Sequence, residues 1–106
     1  MKSKLLLAGS LIIASALSTF AADAAANYAK HCASCHGKDG TGNTVQGKKV
    51  KAKDYTKDQS FSDAEAMKAI KEGVKDGGKE KMKAFGDKLS DDEIKALVGY
   101  VRQFKK

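Results

Sequence analysis

The chain's only two cysteines stand three positions apart in the stretch HCASCHG, residues 31 to 37, and a histidine follows the second at once. Residues three apart on a helical turn present their side chains to one side. Cys32 and Cys35 therefore act together, with His36 beside them. The fold of this chain has to serve that cluster.

The first two dozen residues stand apart from it. Lys2 and Lys4 precede an uncharged apolar run from Leu5 to Leu17, and TFAADAAA then offers small residues for cleavage. This is the pattern of an export signal. The run is short for a membrane span and no stop-transfer pattern follows it. Residues 1–24 are read as a signal peptide cleaved somewhere in 21–26, the alternative being an uncleaved anchor. No Cys stands directly behind the apolar run, so a lipoprotein anchor is not expected. Residues 25–106 are expected to form a single domain, periplasmic, without stable membrane insertion.

About 80 residues bury a limited core and usually need a disulfide, a metal or a cofactor. The need is acute here, because aromatic residues make up 7% of the chain and Trp is absent. The net charge is +7, of which Lys2 and Lys4 leave with the signal. A basic surface steers association with acidic partners. Nucleic acid is not expected among them: the chain is exported, and its basic residues are not interleaved with aromatics that would stack on bases.

Three helices and one long loop account for the domain. The first runs from about Ala24 to Cys35, with Gly37 as its stop. The second opens on a capping box, Ser62 with Glu65. It carries Ala66, Ala69 and Ile70 as a stripe, with Met67 and Val74 at the edge, and ends near Gly73. The third opens on another box, Ser90 with Glu93, and repeats Ile94, Leu97, Val98, Val101 and Phe104 at helical spacing. Residues 37–59 hold four glycines and six lysines and show no sustained period. A stretch that long without structure of its own is unusual unless it wraps something. No strands or repeats are expected, and GKDGTG has the wrong spacing for a nucleotide-binding loop.

Four chemistries compete for the cysteine pair. A thioredoxin-like dithiol belongs at the start of a helix after a strand, and here the thiols sit late in a helix with no strand before them. A disulfide would close a very small loop, stabilise little and leave His36 unexplained. A zinc site needs four ligands; Cys32, Cys35 and one of the two histidines would supply three, and no Cys or His exists elsewhere to complete the set. Covalent attachment of haem uses every residue: Cys-x-x-Cys-His is the signature of a c-type haem. Cys32 and Cys35 bond the macrocycle and His36 ligates the iron. The macrocycle also fills the poor core, and without it the domain is expected to be largely unfolded.

The opposite face of the iron takes a side chain for electron transfer or stays open for chemistry. His31 is too close to His36 in sequence to reach that face. Met67 belongs to a helical apolar stripe, where Met commonly fills gaps. Met82 stands in KDGGKEKMKAFG, a polar stretch with no amphipathic period to account for it. Met82 is favoured, with Met67 as the alternative.

The stretches YAKHCASCHG, GKDGTGNTVQGKK and KMKAFGDKLSDDEIKALVGYVRQF, in that order, resemble a class I c-type cytochrome of the short, soluble, single-haem bacterial kind. The likeness spans nearly all of 25–106. It implies an all-α cytochrome c fold, three main helices plus a long loop around one covalently attached haem. It implies Cys32 and Cys35 as thioether sites and His36 and Met82 as axial ligands. It also implies that the first and last helices cross, with Ala24 and Tyr28 on Leu97 and Tyr100. Family members often carry Pro after the ligand Met; Lys83 stands there instead, which predicts a looser Met82 segment.

The function expected is that of a periplasmic single-electron carrier shuttling between redox partner proteins, without substrate turnover and as a monomer. The alternative is a five-coordinate haem protein that senses a small ligand or reduces peroxide. Lysines 48, 49, 51, 53, 79, 81 and 83 are candidates to ring the haem edge and meet acidic docking surfaces.

Overall fold

In a computed structural model the chain is described for residues 23–106. The expected signal peptide and its cleavage region up to residue 22 lie outside the described residues. Helix α1 covers residues 23–31 and passes through a turn at Cys32 into α2, Ala33–His36. The N–H of Cys32 donates to the Tyr28 carbonyl at 2.9 Å and that of His36 to the Cys32 carbonyl at 2.9 Å, so the two segments form a nearly continuous arm. Gly37 ends the arm at φ +82, a conformation that disfavours any residue with a Cβ.

Residues 37–59 are more ordered than their composition predicts. Helix α3, Val45–Val50, interrupts them, and the Thr44 hydroxyl caps it by accepting the Gly47 N–H at 2.8 Å. The same hydroxyl donates to the Cys35 carbonyl at 2.8 Å. A Cβ on Gly47 would collide with that carbonyl, so glycine is what lets α3 lie against α2. A six-residue helix with glycine inside it leaves no period in the sequence.

Helices α4, Asp63–Glu72, and α5, Asp91–Arg102, pack on each other, and both open on the capping boxes expected of them. The Glu65 N–H donates to the Ser62 hydroxyl at 3.1 Å while the Ser62 N–H donates to the Glu65 carboxylate at 2.9 Å; Ser90 and Glu93 repeat both distances. Ile94, Leu97, Val98 and Val101 of α5 are buried, each contributing about 1.5–3 kcal/mol. With Tyr28, Ile70, Phe85 and Leu89 they form one core. The crossing of the first and last helices is present: the Tyr28 ring lies 5.1 Å from Tyr100 and 5.2 Å from Phe104, and Ala24 is buried.

The strands are a correction to the expectation of none. Val74–Asp76, β1, pairs antiparallel with Lys79–Met82, β2, across a Gly77–Gly78 tip in which both residues have positive φ. That tip is the geometry of a tight two-residue hairpin turn. β1 is exposed along its whole length and β2 is at most half-buried, so no alternation of apolar and polar residues marks them. Val74, expected at the edge of the α4 stripe, is 40% exposed in β1. The architecture remains that of an all-α cytochrome c fold with a small hairpin added.

Candidate cofactor site

A cavity of about 590 Å³ opens where α2, the residues after α3 and the hairpin meet, and Cys32, Cys35, His36 and Met82 all line it. A smaller one of about 310 Å³ adjoins it, sharing Tyr55 and Met82 and walled by Ile70, Val98 and Val101. Met67 lines neither and packs against the core. His31 is at the rim of the larger cavity, its ring 5.2 Å from Phe85.

No disulfide joins Cys32 and Cys35. Burial, and then the neighbouring Cys35, pushes the Cys32 thiol up to about 11, so it stays protonated at neutral pH. A redox dithiol depends on the opposite shift. Among the described residues no group of three or more His, Cys, Asp or Glu side chains could hold a metal ion, which leaves zinc without a ligand set.

His36 is buried, 9% exposed, and burial pulls its imidazole below the ordinary value, partly offset by the Lys53 carbonyl. Nδ1 lies 3.2 Å from that carbonyl, which can only accept, so Nδ1 carries the proton. Nε2 is left as a lone pair, and the Tyr55 hydroxyl, 3.3 Å away, donates to it. The two rings stack at 4.4 Å with 20° between their planes. Tyr55 was not among the expected site residues; its signal is that it is the sole aromatic in the polar stretch 37–59.

The donor set fits a covalently attached haem. Two thiols on one turn, an imidazole with Nε2 unprotonated, and a thioether on a separate element surround one cavity of a size usual for a cofactor. The comparison with known families agrees: residues 19–101 match the family described as cytochrome C oxidase, cbb3-type, subunit III. The chain belongs to this family of c-type cytochromes.

Solved structures are consistent with the membership. The KustC0563 c-type cytochrome is 36% identical, with a TM-score of 0.68 over 77% of this chain and 96% of that one. A point mutant of Kustc0563 is 35% identical, with a TM-score of 0.67 over 78% and 99%. No curated protein matches the chain. The cytochrome therefore carries covalently bound haem c, and its family is one of haem-binding electron carriers.

The rim of the cytochrome's cavity is basic. Lys30, Lys51, Lys53, Lys81, Lys83 and Lys88 line it, against a single acidic residue, Glu80. Of the lysines expected there, 51, 53, 81 and 83 are present, whereas 48, 49 and 79 are not. Lys30 and Lys88 come from α1 and from the loop before α5. Among the described residues no helix is long and apolar enough to cross a membrane.

Proposed function

We propose that this cytochrome is a periplasmic single-electron carrier in which Cys32 and Cys35 form the thioethers and His36 and Met82 are the axial ligands. The observation that carries the reading is the convergence of these four side chains on one cavity, from α2 on one side and β2 on the other. When bound there, haem supplies one-electron redox chemistry at its iron.

The chain's own residues do the rest. The Lys53 carbonyl fixes the tautomer of His36 and so aims its lone pair inward. Met82 supplies a soft thioether, which favours the ferrous state and raises the potential. Ile70, Val98 and Val101 keep water from the inner wall. The basic rim steers acidic redox partners to the exposed edge. Export to the periplasm is supported by the signal pattern of residues 1–24.

The five-coordinate alternative requires Met82 to stand away from the cavity, and its position favours the carrier. The test is the optical spectrum of the purified ferric protein. A low-spin spectrum with a far-red iron–sulfur band is expected. Met82→Ala should abolish that band, lower the potential and make the iron reactive to carbon monoxide when reduced. An unchanged spectrum in that variant removes Met82 as ligand.

A further inference from the structure

Lys83 follows Met82 and the sequence holds no proline, so no ring stiffens the chain there. The structure holds this segment by other means. Upstream, Met82 ends β2 and pairs with Val74, next to an irregularity in the register. Downstream, the Phe85 N–H donates to the Ile70 carbonyl at 2.9 Å and the Gly86 N–H to the Lys71 carbonyl at 3.1 Å. Residues 82–86 are thus tied to β1 on one side and to the last turn of α4 on the other.

Glycine makes this approach possible. Gly73, at φ +78, ends α4 and begins the hairpin; a Cβ there would lie 2.6 Å from the Met82 carbonyl oxygen and 2.9 Å from the Ala84 nitrogen. Both neighbours are backbone atoms, which cannot rotate away as a flexible side chain would. A Cβ on Gly86 would come within 2.9 Å of the Lys71 carbonyl oxygen.

We infer that Gly73 is a positioning residue for Met82, and that the hairpin springing from it holds the thioether over the cavity. This rests on the reading of Met82 as axial ligand. A side chain at Gly73 forces one partner to move. The end of α4 is fixed through buried Ile70, whereas the hairpin is largely exposed and a lone hairpin is marginal in water. The displacement therefore falls on Met82.

Imidazole added to the ferric holoprotein reaches the iron only when Met82 has left it, so its affinity reports the open fraction. Gly73→Ala should bind imidazole roughly tenfold more tightly than the wild type, the scale of one strained backbone position. Gly99→Ala, in α5, should bind as the wild type does, since a Cβ there meets nothing within 4 Å. Lys83→Pro should change the affinity less than about twofold, because Met82 is already extended, as a residue before proline prefers.

Wild-type affinity in Gly73→Ala, in a protein whose far-red band is lost on Met82→Ala, overturns the role of Gly73 alone. A band that survives Met82→Ala overturns the ligand assignment and this inference with it. Should Gly73→Ala fail to accumulate, Lys83→Pro decides: a roughly tenfold loss of imidazole affinity would mean that the segment was loose and that the hairpin does not hold it.

Discussion

The Tyr55 ring lies nearly parallel to His36, 4.4 Å away, and its hydroxyl stands 3.3 Å from Nε2. The imidazole is thereby held on three sides: a carbonyl on Nδ1, a phenol at Nε2 and an aromatic face along its plane. The hydroxyl and the stacked ring act separately, and substitution can divide them.

Tyr55→Phe keeps the stack and, because Nε2 is the atom His36 gives to the iron in the holoprotein, should cost less than about 0.5 kcal/mol. Tyr55→Leu removes the stacked ring and should cost about 2–3 kcal/mol in denaturant unfolding of the holoprotein. The electron paramagnetic resonance g-values of the ferric protein, which report the plane of the imidazole, should move in Tyr55→Leu and hold in Tyr55→Phe. Equal g-values in all three proteins would show that the stack does not orient His36.

The basic rim predicts a salt-dependent encounter. Lys81→Glu with Lys83→Glu should slow electron exchange with an acidic redox protein roughly tenfold at low ionic strength. The difference should shrink at about 1 M salt, where the screening length is near 3 Å. Stopped-flow rates across a salt series check both halves. Rates that match the wild type at low salt place docking elsewhere.

Arg102 and Lys71 separate a clamp from an isolated surface pair. The guanidinium donates to the Phe61 carbonyl at 2.9 Å and to Asp63 at 2.8 Å, and lies 4.5 Å over the Phe61 ring. Arg102→Ala should therefore destabilise the protein by about 1–2 kcal/mol. The Lys71–Asp91 pair, with side chains 52% and 71% exposed, should matter by less than about 0.5 kcal/mol in Lys71→Ala. Thermal unfolding of the two variants side by side tests the ordering.

Acid stability follows from the caps. The Ser90 N–H, then the Asn27 amide, hold the Glu93 carboxyl below its ordinary 4.5. Glu65 shifts the same way through Ser62, and Asp39 and Asp58 through Thr41 and Ser60. A carboxyl with a depressed folded value releases its proton more readily in the folded chain than in the unfolded one. Its stabilisation is complete above 4.5 and fades as pH falls through the folded value. Glu93→Gln keeps an acceptor for Ser90 but does not titrate. Its melting temperature should fall less steeply than that of the wild type between about pH 5 and pH 3.

What could be read in the sequence was what is local. The Ser62 and Ser90 caps are written within four residues each, and α5 repeats its apolar positions over three turns. Cys32, Cys35 and His36 are adjacent in the chain and needed no tertiary knowledge to be grouped. Met82 stands out because its sequence surroundings give an apolar side chain nothing local to pack on. The hairpin was missed although Gly77–Gly78 signals its turn, since exposed strands lack the alternation that burial imposes. α3 was missed because its helix is held by tertiary contact through Gly47, which sequence period does not record. Tyr55, Lys30 and Lys88 reach the cavity only through the folding of distant segments.

The platform beneath the two thiols is assembled from both sides of the domain. Tyr28 donates to the Gly37 carbonyl at 2.6 Å, and its ring is held in turn by Tyr100 and Phe104, beyond the hairpin. A chain synthesised only as far as β2 carries the whole attachment motif but not the aromatics that brace it.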